Sequence, residues 1–262
     1  MLDWAGSEGW NPGLDDAEAF FQADPEGFFV GVDDAGEPLA AISVVNHSAD
    51  FAFLGLYIVR PEHRGKGYGL RLWTHAMQHA GQRVVGLDGV EEQQQNYRTS
   101  GFAYAGGTTR YSGVVSGQSA PDIDRATADD IPMLIAMEAA ASGVEKPRYL
   151  GAWLEQTASR RTFVCRSDAG IAGFCTVRAC RSGAKIGPLL ASDTESAARL
   201  IRVAAAQFAG PVTLDVPETA TGLTQLCQGL GLQAGFKTAR MYRGAFAGPP
   251  QPFFAVTSLE LG

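Results

Sequence analysis

Residues 60–69 read Arg-Pro-Glu-His-Arg-Gly-Lys-Gly-Tyr-Gly, between the apolar run Phe53-Leu54-Gly55-Leu56-Tyr57-Ile58-Val59 and the helix-like start Leu70-Arg71-Leu72-Trp73. A strand that enters a helix through such a corner leaves unpaired N–H groups pointing at one spot, and the helix dipole adds positive potential there. Glycines let the backbone reach positive φ and come close to a ligand without a Cβ in the way. Arg64 and Lys66 add full charges suited to phosphate oxygens. The corner reads as an anion cradle, with pyrophosphate the economical ligand; a tight surface turn with solvated charges is the plainer alternative. The spacing is not that of a P-loop, which requires G-x-x-x-x-G-K-[ST]. It is not the dinucleotide turn either. Asp88 stands where that fold keeps an acid, but the third glycine of G-x-G-x-x-G would fall on Leu70.

Outward from this corner the chain repeats itself. Phe28–Val32, the turn Asp33–Gly36 and Pro38–Val44 form a hairpin pattern, and Thr162–Arg166, Ser167–Gly170 and Ile171–Val177 form it again. Val84–Asp88 is answered by Val212–Val216, Ser100-Gly101-Phe102 by Leu230-Gly231-Leu232, and Arg110–Gly113 by Met241–Gly244. The order is kept at an offset of about 130 residues, too long for a solenoid repeat. Two copies of one mixed α/β domain are expected, joined by the small, polar stretch 113–121. Each half reads hairpin, strand, loop, helix, strand, helix, strand, with helices in the first half over about Leu70–His79 and Glu92–Ser100. Only the second half opens with a strand-like segment, Ile123–Ala126, and at its own corner Ala191–Ser196 offers no glycine and no cation.

The 262 residues are 45% hydrophobic and 19% charged, with a formal charge of -7. That balance suits a globular chain and leaves no electrostatic footprint for nucleic acid. Residues 1–8 lack the basic start and apolar core of a signal peptide, and no apolar run approaches the roughly 18 residues of a membrane span. The expectation is a cytoplasmic protein with no membrane partner. Cys165, Cys175, Cys180 and Cys227 have no CxxC spacing, so reduced buried thiols are expected rather than disulfides or zinc. His75 and His79 lie one helical turn apart, but Ala76 stands where H-E-x-x-H needs its glutamate, and exposed helix histidines are expected.

Arg64-Gly65-Lys66-Gly67-Tyr68-Gly69 matches the [Q/R]-x-x-G-x-[G/A] pyrophosphate motif of the GNAT superfamily of N-acetyltransferases. Tyr97-Arg98-Thr99-Ser100-Gly101-Phe102 resembles that superfamily's second signature. The resemblance covers about residues 25–112. The second half resembles the degenerate acetyltransferase-like domain of a two-domain subgroup, through Asp215–Glu218 and Arg240–Gly244. The resemblance implies an α/β fold of two tandem domains, each a mixed, mostly antiparallel sheet with a central, splayed parallel pair flanked by helices. Residues 1–115 would be the acetyl-CoA-binding catalytic domain, lacking the first strand, and residues 120–262 a degenerate partner without a coenzyme A loop. By the same analogy the backbone N–H groups of Arg64, Gly65, Lys66, Gly67, Tyr68 and Gly69 would take the pyrophosphate. Ile58 and Val59 would pair with the pantetheine arm, and an N–H near Ile58 would polarise the thioester carbonyl. No metal is needed.

Acetyl transfer to an amine requires removal of a proton from a group whose free pKa is ~10.4 and benefits from a donor to the departing thiolate. By the resemblance, Tyr97 sits where the superfamily commonly keeps that donor; packing on Phe102 is its structural alternative. Cys227 replaces it in the second half. Asp88 is one candidate base, although Asp215 repeats it in the half without the corner, which suits a structural role equally. Glu8 is the other, in a loop where the superfamily lines its acceptor pocket. There Trp10 and Asn11 would contact the acceptor, or Trp10 would only anchor the loop. The activity implied is N-acetyl transfer from acetyl-CoA to a primary amine, on a small molecule or a protein, by direct attack in a ternary complex. A non-catalytic acyl-CoA-binding regulatory module is the alternative, an interaction scaffold a weaker third. A homodimer is among the assemblies the sequence allows.

Overall fold

The repeated hairpin recurs in both halves, preceded in the second by one short strand. In the computed structural model, which describes residues 1–168, 170–246, 248–249 and 251–262, the first half comprises α1 (Leu2–Ser7), α2 (Asp16–Ala23), β1 (Phe28–Val32), β2 (Pro38–Asn46), β3 (Phe51–Val59), α3 (Tyr68–Ala76), β4 (Val84–Val90), α4 (Gln94–Thr99) and β5 (Ala103–Gly113). The second comprises β6 (Ile123–Arg125), α5 (Ile131–Ser142), α6 (Pro147–Trp153), β7 (Arg160–Ser167), β8 (Gly170–Ala179), β9 (Ala184–Ala191), α7 (Thr194–Ala205), β10 (Val212–Pro217), α8 (Thr221–Gly229), β11 (Gln233–Arg243) and β12 (Phe254–Ala255). Ala169, in the turn expected at Ser167–Gly170, lies outside the described residues.

The helices depart from expectation at their ends. Helix α3 starts at Tyr68 rather than Leu70, with left-handed Gly67 (φ 80°) turning the chain into it, and it stops at Ala76. His79 lies past that end and is not an exposed helix residue: its Nε2 meets Asp24 Oδ2 at 2.7 Å. Helix α4 is shorter than Glu92–Ser100, since Glu91–Gln93 form a 3₁₀ turn first; Gly101 at φ 87° ends it.

All twelve strands join one sheet, in the order β1-β2-β3-β4-β11-β5-β10-β9-β8-β7-β6, with β12 added beside β9. Each half has one parallel pair, β3 with β4 and β9 with β10. The strand that closes each repeat is lodged in the other half's sheet, β11 against β4 and β5 against β10. The boundary expected at 115–120 therefore divides the chain but not the sheet. Ala239 and Met241 of β11 sit in the first half's core with Ile42, Leu54, Leu72, Trp73 and Leu87. A second core lies under α7 and α8. A third, with Phe20, Tyr149, Trp153 and Leu261, joins the N-terminal helices to α6 and the C-terminal segment.

That C-terminal segment is clamped from both halves. Thr257 Oγ1 bonds Glu138 Oε1 (3.2 Å), Tyr149 Oη bonds Ser258 Oγ (3.1 Å), and Lys146 Nζ holds the Gly262 carbonyl (2.6 Å). His47 Nε2, donating as the neutral ring, holds the Leu261 carbonyl (2.8 Å). Burial first, and then nearby Lys146, push the His47 pKa down from 6.5 to about 3. Between those values the unfolded chain carries a proton that the folded chain refuses, so this contribution is whole above pH 6.5 and is lost as pH falls towards 3. Unfolding free energy should drop by roughly 2.5 kcal/mol between pH 6.5 and 4.5 on this account alone. Denaturant titrations across that range check it, and His47→Gln, which keeps a donor but cannot charge, should show a flatter profile.

Candidate active site

The parallel register of β3 and β4 runs only from Phe51↔Val84 to Leu54↔Leu87. Beyond it β3 continues to Val59 and β4 to Val90 without pairing, so the sheet opens into a wedge. A bulge in β3 lies at the opening: Ala41 faces Ile58 but Ser43 faces Gly55, leaving one extra residue. Leu56 stands there at φ 48°, an unusual conformation for leucine and a marker of a re-aimed strand. The Arg60 N–H goes to Leu39 O on β2 (3.0 Å). By ladder alternation the Ile58 N–H also turns to β2, while Val59 presents its N–H and C=O to the open side. It is therefore Val59, next to Ile58, whose N–H faces the open side, while Arg64 Nε holds the Val59 carbonyl at 2.8 Å.

The glycine corner meets the mouth of this wedge. Gly65 (φ 73°) and Gly67 (φ 80°) are left-handed, and a Cβ on either would meet nothing within 4 Å. Gly69 is needed for close packing instead: a Cβ there would lie 2.8 Å from Val59 Cγ2. Among the described residues no side chain caps the N-terminus of the nine-residue α3, so its first N–H groups are free for an anion, as a pyrophosphate cradle requires. Lys66 and Tyr68 are exposed and do not line the cavity, unlike Arg64, Gly65, Gly67 and Gly69.

The cavity has a volume of about 610 Å³ and runs from the corner along Leu54–Val59 to Leu87, Asp88 and Val90 of β4, within the usual size range for a small-molecule site. Tyr97 lines it from α4, its ring stacked on Trp73 at 5.7 Å. Gly89 is required beside it, because a Cβ there would lie 2.5 Å from the Tyr97 ring. Burial pushes the Tyr97 hydroxyl well above its usual range, with Tyr57 adding to the shift, so it stays protonated at neutral pH.

The candidate bases are both engaged. Glu8 lines the cavity, but its Oε1 takes Arg64 Nη2 at 2.6 Å. Asp88 receives Arg240 Nε on one oxygen (2.9 Å) and Nη2 on the other (2.7 Å). Burial raises its carboxyl above the ordinary range against the opposing pull of Arg240. Asp215 holds Arg110 in the same bidentate way, at 2.7 and 2.8 Å. A pair repeated in both halves fits the structural of the two readings of Asp88. Trp10 lines the cavity and its carbonyl accepts from Lys185 Nζ (2.8 Å). Asn11 does not line it: the side chain bonds the Ser182 backbone, donating to O at 2.8 Å and accepting from N at 3.3 Å.

Sequence reasoning missed the far wall, built from Arg110 of β5, Phe236 and Thr238 of β11, and Leu259 and Glu260 of the C-terminal segment. One signal was present. Gly55 interrupts an apolar strand, and a Cβ there would collide with the Glu260 carbonyl; strand glycines mark such close approaches.

The second half has the same wedge, filled. The register of β9 and β10 stops at Ile186↔Leu214, and β12 enters the gap, pairing Phe254 with Leu190 and Ala255 with Leu189. The Val256 N–H then bonds Asp215 O on β10 (3.0 Å). Helix α7 is capped by its own Asp193, whose Oδ1 accepts from Ser196 N at 2.8 Å. The anion position is taken there by a side chain.

Comparison with known proteins agrees with this geometry. Residues 1–102 match the profile described as Acetyltransferase (GNAT) family, and residues 134–253 that described as Acetyltransferase (GNAT) domain. The chain is 38% identical to a holothin acyltransferase from Pseudoalteromonas sp. (strain SANK 73390), over 99% of this chain and 90% of that protein. Its fold is similar to a putative acetyltransferase from Pyrococcus horikoshii (TM-score 0.80, 18% identity, 94% of this chain and 84% of that one). It is also similar to a tandem GNAT protein from the clavulanic acid biosynthesis pathway (TM-score 0.60, 14% identity, 88% of each chain).

Proposed function

Because this chain belongs to the GNAT family as a two-domain acyltransferase, we propose that it moves an acetyl group from acetyl-CoA to a primary amine, by direct attack within a ternary complex in the first half. The observation that carries this reading is the contrast between the two wedges, one open beneath an uncapped helix, the other filled by β12 beneath a capped one. Acyl-CoA supplies an activated acyl group as a thioester. The N–H groups of the 64–69 turn hold its pyrophosphate, Arg64 and Lys66 add charge, and Val59 and Ile58 position the arm along β3. Glu8 orients Arg64. The Val59 N–H polarises the acyl carbonyl. Tyr97 gives its proton to the leaving sulfur. The acceptor enters from the side of Trp10 and Phe236. The relative named for holothin makes holothin the first acceptor to assay.

The test is mass-spectrometric detection of an acylated product from acetyl-CoA with holothin and a panel of primary amines, with calorimetric CoA titration beside it. CoA binding with no transfer across the panel would select a regulatory module instead. Tyr97→Phe should lower kcat by about a hundredfold or more with the KM for acetyl-CoA little changed, since the hydroxyl acts on the leaving group alone. Unchanged kcat would remove Tyr97 from the mechanism.

A further inference from the structure

Four carboxylates line the cavity: Glu8, Asp88, Glu92 and Glu260. Glu8 is engaged by Arg64, Asp88 is held on both oxygens by Arg240, and Glu92 is exposed to solvent. Glu260 differs from all three. It is 5% exposed, its Oε2 has no hydrogen-bond partner among the described residues, and its Oε1 stands 3.9 Å from Lys185 Nζ. A buried carboxylate oxygen without a partner is costly and calls for a ligand. Charged groups surround it without hydrogen-bonding that oxygen: Lys185 from β9, Arg110 from β5 and Arg178 from β8 attract it, and Asp88 from β4 repels it. The backbone that carries it is fixed on both sides, by Ser258 on Tyr149 and by Leu261 on His47. It presses on β3 at Gly55, beside the bulge at the opening of the wedge.

We propose that Glu260 is the group that takes the proton from the acceptor nitrogen, delivered into the first half's site by the same segment that fills the second half's wedge. This rests on acyl transfer to an amine as proposed above. The N–C bond forms as the C–S bond breaks. The proton leaving nitrogen goes to the Glu260 carboxylate, and the sulfur takes the Tyr97 proton. Water then carries the proton from Glu260 back to the phenolate. One amine and one thioester become one amide and one thiol, with no net change in protons.

The test is Glu260→Gln in the full chain, assayed with acetyl-CoA and the panel amine turned over fastest. A positioned base contributes on the order of a hundredfold or more, so kcat should fall by at least that at neutral pH. The deficit should shrink as pH approaches the amine's own pKa, a signature a merely structural role does not give. CoA affinity by calorimetry should be unchanged. If the single variant fails to fold, Lys185→Met/Glu260→Gln, which removes both charges, should show the same loss and the same pH dependence. Wild-type kcat and pH profile in either folded variant overturn this inference and leave the proposed function standing, as does a change confined to the amine's KM. A wild-type chain that binds CoA yet acylates no amine overturns both.

Discussion

Gly67→Glu is expected to weaken acyl-CoA binding by about a thousandfold while leaving the fold in place. Two effects combine at this residue. The position is left-handed at φ 80°, a conformation that costs an L-residue about 1–2 kcal/mol. The added carboxylate also stands at the uncapped N-terminus of α3, where the pyrophosphate would lie. Like charges ~4 Å apart near a surface repel by about 4 kcal/mol, which alone is close to a thousandfold in affinity. Nothing lies within 4 Å of a Cβ here, so packing is untouched and Tm should move by only a few degrees. Gly67→Ala separates the effects, since it carries the strain without the charge and should cost tenfold or less. Calorimetric titration with CoA reads all three proteins. Equal affinity in wild type and Gly67→Glu would mean that the pyrophosphate does not use this turn, and the proposed cofactor arrangement would fall with it.

The glycine corner was legible because its signals are local. Positive φ at Gly65 and Gly67, an uncapped helix start and two cations follow from ten consecutive residues. The repeat was legible too, because hairpin and strand patterns recur in one order. The strand exchange was not. Strands β5 and β11 have similar patterns, and either could complete either half, so the pairing is decided by contacts far apart in the chain. The ladder also corrects the repeat by one residue: Arg110 and Arg240 are equivalent, each opposite an aspartate, whereas matching Arg110 with Met241 turns side chains to the wrong faces. Glu260 was hidden for a similar reason. Residues 253–261 alternate in sequence as a strand would, but only Phe254 and Ala255 pair as one; the rest leaves that sheet position and crosses to β3. The site's far wall is thus a product of tertiary structure, foreshadowed only by Gly55.

The exchange makes a second large effect predictable, one that tests what Asp88 does. Asp88 on β4 and Arg240 on β11 are joined across the two halves, with the aspartate side chain fully buried and the arginine side chain 20% exposed. Removing one member of such a pair strands a buried charge, which typically costs 3–5 kcal/mol. In a chain of this size that corresponds to a fall in Tm of roughly 10 °C. Asp88→Asn should therefore melt early, and its activity should follow its folded fraction. Asp88→Leu/Arg240→Met, which leaves no charge behind, should recover most of the lost stability, because an apolar pair of similar volume replaces a buried ion pair at little cost. Below its melting temperature this double variant should turn over acceptor within several-fold of wild type if the pair is structural. If Asp88 were the base, the double variant would be stable and inactive, since folding would be restored and the proton acceptor would still be gone. Stability and turnover thus separate the two roles in one protein. The repeated pair Asp215–Arg110 favours the structural outcome, because it is kept in a half whose wedge is already filled.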